Sequence, residues 1–159
     1  MKLKNILILL FVLIVYVKGE AQFFPTNQTE SDSIYAINIK LSKIKGVYIP
    51  SNLNEAFDRL NKLTPESAIA NFKNAEEIEV CKKLHFGIGR WMIINWSFYE
   101  GSRLSHYLKQ KGLFHPDDMA QFILRTYHRS LLNKDLDEKE IIDELVKARK
   151  KEVQYLINN

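Results

Sequence analysis

The sequence predicts an all-α fold, a single small domain of about six helices preceded by a short extended or helical N-terminal arm. From Val47 onward, apolar residues recur at the three- and four-residue spacing of a helix face. Helix-starting asparagine, serine and proline precede these runs, and glycine often follows them. The connections are therefore short, and with 159 residues, 46% of them hydrophobic, the chain suits one core.

The first 21 residues have the composition of a secretory signal peptide. Two lysines precede an uncharged apolar run over residues 6–17, and the small residues Gly19 and Ala21 suit a cut between Ala21 and Gln22. As a helix the run would span about 18 Å, against about 30 Å for a hydrocarbon core. We expect a secreted or periplasmic protein with no stable membrane span after cleavage, and an uncleaved anchor is the alternative.

The net charge and the number of cysteines limit which binding partners and which disulfides the sequence predicts. The net charge of +4 falls by half without the signal region, which carries three lysines and one acid. Binding to nucleic acid or polybasic binding to a membrane is therefore not indicated. Cys81 is the single cysteine, so no internal disulfide can form. Cys81 shares an apolar helix stripe with Ile78 and Leu84, which predicts burial, and an intermolecular disulfide is the alternative.

The arm covers residues 22–46 and the helical domain covers residues 47–159. Residues 22–33 are predicted to be a flexible lead-in. Residues 34–41 fit either a strand, by alternation of Tyr35 and Ile37, or a helix face.

Three helix starts are predicted in the first half of the domain. Asn52 with Glu55, and Asn74 with Glu77, have capping-box spacing. Thr64-Pro65-Glu66 combines a capping hydroxyl with proline and an acid in the first turn. Gly87 and Gly89 then kink or break the helix that begins near Glu77, or allow a second helix to pack closely.

The second half contains three further helices. Ser102 caps a helix over residues 103–111, which Gly112 closes. His115-Pro116-Asp117-Asp118 begins the next helix, and a long final helix covers residues 136–157. Four apolar residues are predicted on one side of the final helix: Ile142, Val146, Val153 and Leu156.

Residues 84–131 hold the unusual side chains. All four histidines and both tryptophans lie there. A zinc site would be expected to show spacing such as His-x-x-x-His, and the nearest pattern is Cys81-x-x-x-His85, so no metal is predicted. Gly87-Ile88-Gly89 lacks the third glycine and the preceding strand of a dinucleotide motif, so no cofactor is predicted. Trp91 and Trp96 fit a core, and an aromatic ligand platform is the alternative.

Carboxylates and arginines form the remaining candidate site. Asp117 and Asp118 are expected at a helix N-terminus, where the helix dipole favours negative charge. Because adjacent helical residues point about 100° apart, the two carboxylates are not expected to face one reacting atom together. Arg103 and Arg125 are expected to meet Asp118 in a network that rigidifies the block, or alternatively to hold an anionic ligand.

Several motifs resemble a bacterial domain family of unknown function. They are LHFGIGRWMIINW at residues 84–96, Gly101-Ser102, and the helix start from His115 to Met119. The likeness covers residues 48–132. It implies a small helical domain, often exported, with no established activity and no catalytic residues to transfer.

The leading hypothesis is a non-enzymatic module that binds a protein or envelope component. Its predicted binding residues are His85, Trp91, Arg103, Asp118 and Arg125. The alternatives are a hydrolase and a toxin-neutralising partner protein. The hydrolase would use histidine and aspartate side chains from the same block: His115, Asp117, Asp118 and His128.

Overall fold

The all-α prediction is confirmed by a computed structural model, which describes residues 27–158. The predicted signal peptide and its cut lie outside the described residues. The elements in chain order are α1 Gln28–Asn38, β1 Lys43–Ile44, β2 Val47–Tyr48, α2 Leu53–Leu63, α3 Glu66–Asn74, α4 Glu77–Leu84, a π-helical turn His85–Gly89, α5 Arg90–Asn95, α6 Arg103–Gln110, α7 Pro116–Leu131 and α8 Glu138–Asn158. The two strands form only a short antiparallel hairpin.

Helix α7 is the centre of the fold. It packs against every helix from α2 to α6, against the π-helical turn and against α8. Its buried residues run continuously from Phe122 to His128, so it has no solvent-facing side over these two turns. Such all-round burial is typical of a central helix that other helices surround.

Helices α4 and α8 both run antiparallel to α7. Glu77 at the start of α4 pairs with Arg125 and Arg129 near the end of α7, while His85 just after α4 reaches Asp117 at its beginning. Arg149, in the middle of α8, pairs with Asp118. The C-terminal end of α4 and the middle of α8 therefore lie beside the N-terminal end of α7, and α8 continues past it.

Helix caps account for three of the predicted boundaries. The Asn52 side chain accepts a hydrogen bond from the Glu55 amide, and Ser102 forms a capping box with Ser105. His115 caps α7 and Pro116 is the first helical residue. Gly112 follows the end of α6 with a φ of 98°, the left-handed geometry that glycine tolerates after a helix.

Two predicted caps are wrong. Thr64 ends α2, where its amide bonds to the Leu60 carbonyl, and Pro65 starts α3 without a side-chain cap. Asn74 ends α3, and α4 is capped instead by Glu76, whose carboxylate accepts from two amides. The longer acid reaches both orphan amides, which leaves Glu77 free to turn toward the arginines.

The glycine pair does not break the chain's helical path. Residues 85–89 form one π-helical turn between α4 and α5, a wider turn that inserts an extra residue. Close packing is found only at Gly89, where an added Cβ would come within 3.3 Å of the His85 Nδ1. An added Cβ at Gly87 would meet nothing within 4 Å, so that glycine does not serve close packing.

In the described part of the N-terminal arm, residues 28–38 form a helix rather than a flexible lead-in or a strand. Helix α1 starts at Gln28, because the Asn27 side chain caps it by accepting from the Glu30 amide. Tyr35 holds α1 to the domain through a 2.8 Å hydrogen bond between its hydroxyl and the His106 Nδ1.

Replacing Gly101 with alanine should release α1. Gly101 has a φ of 89°, and an added Cβ would overlap the Tyr35 ring. Both the left-handed backbone and the overlap oppose the alanine, so we expect faster amide hydrogen exchange across residues 28–38. Gly87→Ala is the matched control and should leave exchange in α1 unchanged. Unchanged exchange in Gly101→Ala would show that Tyr35 does not hold the arm.

The core contains most of the groups that the helix stripes predict to be buried, and the exceptions lie at the end of α8. Cys81 and Trp96 are fully buried, which confirms the prediction for the cysteine, and Trp91 is half-buried beside Trp96. On α8, Ile142 and Val146 pack against the core. Val153 and Leu156 are exposed, because α8 continues past the helices that would cover them.

Candidate binding surface at the His85 end of the bundle

One end of the bundle gathers most of the predicted site. We define the His85 end as the end of α4 with the π-helical turn, the start of α7, and α8 from Arg149 onward. A cleft of about 380 Å³ opens there. It is lined by Ile78, Lys82, His85, Asp117, Asp118, Gln121, Arg125, Leu145, Arg149 and Glu152. Two larger depressions lie along the outer face of α8 and are lined almost wholly by that helix, so they are grooves of its surface.

Asp118 and Arg149 form the central ion pair of the cleft. The guanidinium donates through two nitrogens, at 3.2 Å to Oδ2 and 2.8 Å to Oδ1 of the carboxylate. Asp118 is buried, and Arg149 also donates to Glu152. Two-pronged pairing of this kind fixes geometry as well as charge, so it ties α8 to the start of α7.

A second network lies deeper along α7. The Arg125 side chain is 8% exposed and donates to Glu77 at 2.9 Å and Glu144 at 2.6 Å. Glu77 also accepts from Arg129 at 2.8 Å. Burial raises the pKa of Glu77, but the hydrogen bonds from Arg129 and Arg125 outweigh burial, so its pKa lies below the ordinary value. Glu77 thus stays ionised and joins α4 to α7.

Asp117 lies between two histidines. Its carboxylate is 3.4 Å from Nε2 of His85 and 3.6 Å from Nδ1 of His115. The same His115 Nδ1 accepts from the Asp117 amide, so it serves as the helix cap. The other ring nitrogen of His85 is buried against Gly89 and has no hydrogen-bond partner among residues 27–158.

The predicted binding residues separate into two groups. His85, Asp118 and Arg125 line the cleft, whereas Trp91 and Arg103 do not. Arg103 donates to the Ile49 carbonyl and to Glu55, and its guanidinium lies over the Tyr48 ring. The expected network from Asp118 to Arg103 and Arg125 is therefore wrong, since each arginine pairs with glutamates.

The residue that binds Asp118, Arg149, was not predicted. It lies 31 positions later on another helix, and no local pattern relates the two. The usable signal is an arginine on the apolar side of the final helix, between Val146 and Val153. An arginine at such a position needs a buried acid.

Of the residues in the hydrolase alternative, His115 and Asp117 lie close together, with His115 Nδ1 3.6 Å from the Asp117 carboxylate, whereas His128 lies apart from them. His128 follows His115 by 13 residues, which is about 20 Å along a helix axis. The His128 Nε2 is 3.1 Å from the Ala75 carbonyl, and its ring packs edge-on against Phe72. His106, outside that set, is bonded to Tyr35.

Cys81 is a poor nucleophile beside His85. Its side chain is fully buried, and burial raises the pKa of the thiol to about 12. A thiolate is the reactive form, so this cysteine is protonated at neutral pH. Its carbonyl instead accepts a hydrogen bond from Gln121, which joins α4 to α7.

Large apolar side chains project from the His85 end. Phe86 is 84% exposed and its ring lies edge-on to His85, 5.4 Å between centroids. Phe114 is 72% exposed and immediately precedes the α7 cap. Leu156 and Ile157, at 69% and 73%, lie on α8 beyond Arg149. These residues were not among the predicted site residues, because a sequence alone does not show which apolar residues lack neighbours.

Residues 27–158 do not meet the requirements of a metal site or of a membrane-spanning helix. No group of three or more histidine, cysteine, aspartate or glutamate side chains is arranged to hold a metal ion in that part. None of its helices is both long and apolar enough to cross a bilayer.

The fold and the cleft define a small helical domain built around one central helix, with an ion-paired cleft at one end. The chain belongs to the family described as Domain of unknown function (DUF6794), whose profile matches residues 49–131, just over half of the chain. The match confirms the predicted kinship with a domain family of unknown function. No curated protein and no solved structure matches the chain significantly.

Proposed function

We propose that this chain is an exported, non-enzymatic binding module that contacts a protein or an envelope component through the His85 end. The observation that carries the proposal is the exposure of Phe86, which contacts the cleft residue His85, and of Phe114, which precedes the cap of α7. A phenylalanine left in water forgoes about 2 kcal/mol of burial free energy, and clustered exposed apolar groups mark interaction sites.

Most charged residues of the cleft are ion-paired, so they stabilise the surface that carries Phe86 and Phe114 rather than binding a ligand directly. Asp118 and Arg125 are already paired with Arg149, Glu77 and Glu144. Paired charges at this depth hold α4, α7 and α8 in a fixed relation. A rigid frame reduces the entropy that a contact surface loses on binding. His85 contacts Phe86 directly, and the ion pairs of Asp118 and Arg125 fix the helices that carry Phe86 and Phe114.

Export rests on the first 21 residues. Their basic start, short apolar run and small residues before Gln22 motivate it. Mass spectrometry of protein recovered outside the cytoplasm should find Gln22 at the N-terminus, in free or cyclised form. An intact Met1 on that material would contradict export with cleavage.

A photoreactive amino acid placed at position 86 or 114 tests the binding surface. In cells of the source organism, both positions should give a discrete adduct with the same molecule, because both side chains border one surface. Position 63 is the matched control, since Leu63 on α2 is also exposed, at 49%, and lies outside the His85 end. Absence of adducts at 86 and 114, or the same adduct at 63, would contradict the proposal.

A further inference from the structure

We propose that the envelope component contacted by the His85 end is an anionic lipid surface. This inference rests on the proposed function and names its partner. Charged and apolar side chains are distributed unevenly along the bundle. The net charge of the whole chain does not reveal this uneven distribution.

Unpaired lysines gather at the His85 end. Lys82 and Lys83 lie in the last turn of α4, and Lys150 and Lys151 follow Arg149 on α8. All four are exposed, and none has an ion-pair partner in the part of the chain that the structure describes. The acids at this end are engaged: Asp117 faces His85, and Asp118 and Glu152 pair with Arg149.

The opposite end of the bundle is acidic. The start of α8 carries four acids and Lys139. Glu138 pairs with Lys111 and Glu144 with Arg125, which leaves Glu140 and Asp143 without an ion pair among the described residues. Because α4 and α8 run in the same direction, the basic last turn of α4 lies beside the segment of α8 that holds Arg149, Lys150 and Lys151. The acidic start of α8 lies at the other end. The molecule is therefore electrically polarised along the bundle, with its positive pole where the apolar side chains project.

The last nine residues of α8 have the composition of an interfacial segment. Helix α8 continues for nine residues past Arg149, about 13 Å at 1.5 Å per residue. Val153, Tyr155, Leu156 and Ile157 lie in this extension and are all exposed. At about 100° per residue, Val153, Leu156 and Ile157 lie within an arc of about 100°, so they form one exposed apolar stripe on this extension.

On α8, the lysines precede the exposed apolar residues by about one turn. This order corresponds to the order of headgroups and acyl chains at an anionic membrane surface. Lysines meet the headgroups, while aromatic and aliphatic side chains enter the headgroup–acyl boundary. Phe86 and Phe114 add two further apolar groups at the same end. Charge complementarity therefore favours anionic lipid over a second copy of this chain, whose same end would bring like charges together.

Vesicle co-sedimentation of residues 22–159, the expected mature chain, tests the inference. Binding should occur with an equimolar mixture of phosphatidylcholine and phosphatidylglycerol, and should be weak with phosphatidylcholine alone. Higher salt should reduce it, because screening weakens the lysine contribution. Equal binding to both vesicles, or no binding to either, would overturn the inference.

Two variants and a matched control localise the contact. Lys150→Gln with Lys151→Gln should weaken binding on the order of 30-fold. Leu156→Gln with Ile157→Gln should weaken it about tenfold or more. Lys134→Gln with Lys139→Gln removes the same charge near the acidic end and should bind as the parent does. An equal loss in the lysine control would overturn the assignment.

Two outcomes separate this inference from the proposed function. Adducts at positions 86 and 114 without vesicle binding would overturn the lipid assignment and leave a binding surface for another partner. Concentration-dependent dimers in sedimentation velocity, abolished by Leu156→Gln with Ile157→Gln and without vesicle binding, would assign the end to a second copy.

Discussion

Trp96→Ala should lower the free energy of unfolding by about 3–5 kcal/mol, the cost of truncating a buried tryptophan. Trp96 is fully buried, edge-on to Trp91 with ring centroids 5.7 Å apart, and beside Phe98. The smaller side chain loses these contacts and leaves a cavity beneath the junction of α5 and α7. Urea unfolding followed by far-UV circular dichroism measures the loss.

Two substitutions serve as controls for Trp96→Ala. Trp91→Ala should cost clearly less, because Trp91 is only half-buried. Trp96→Phe should also cost less, since it keeps most of the ring and removes an indole N–H that is buried without a partner among the described residues. A Trp96→Ala protein as stable as the parent would mean that this tryptophan belongs to a ligand platform rather than to the core.

Glu77→Ala should lower the free energy of unfolding by about 3 kcal/mol, the lower part of the range for breaking a buried ion pair. Glu77 is the shared partner of Arg125 and Arg129, and its side chain is 17% exposed. Without it, Arg125 keeps only Glu144, and the start of α4 loses its link to α7. Glu79→Ala is the matched control. It is exposed on the same helix, so its effect should stay within about 0.5 kcal/mol.

The Glu77 ion pairs should also appear in the pH dependence of stability. Because the folded-state pKa of Glu77 is below 4.5, the pairs stabilise the fold above that value. Their contribution is lost as pH falls from 4.5 through the folded-state pKa. The stability difference between the parent and Glu77→Ala should therefore shrink in acid. A difference that stays constant to the lowest pH at which the parent folds would contradict the role of the ionised carboxylate.

Local signals predicted the fold better than the site. The caps at Asn52, Ser102 and His115 depend on contacts within four residues, so sequence spacing reveals them. Thr64 and Asn74 have suitable side chains too, but the N-cap residues are Pro65, before α3 begins at Glu66, and Glu76, before α4 begins at Glu77. When two residues a few positions apart are both suitable helix caps, only the packing of the folded chain decides which one is used.

The ion pairs of the cleft join residues far apart in sequence. Within residues 84–131, Arg103 and Arg125 were both plausible partners for Asp118. Its actual partner, Arg149, lies on α8. Exposure is also decided by three-dimensional packing: Phe86 and Phe114 have the sequence appearance of core residues. Sequence periodicity identifies a helix face, but it does not show where the neighbouring helix ends.

The charge polarity depends on chain topology in the same way. The net charge gave no indication of binding to a membrane. The antiparallel packing of α4 and α8 on α7 brings two separate lysine pairs, at 82–83 and 150–151, to one end. Their alignment with the exposed apolar residues is therefore a property of the fold and not of the composition.

The most direct test of the His85 end as one binding surface is the adduct yield at position 114 when Phe86 is changed to serine. We expect this yield to fall several-fold, because both side chains contact the same molecule, whereas Leu63→Ser should leave it unchanged. Phe86 is 84% exposed and, among the ring pairs of the described residues, its ring packs edge-on against His85 only, so Phe86→Ser should change the stability of the fold little. An unchanged yield at position 114 in a folded Phe86→Ser protein would contradict a single binding surface at this end.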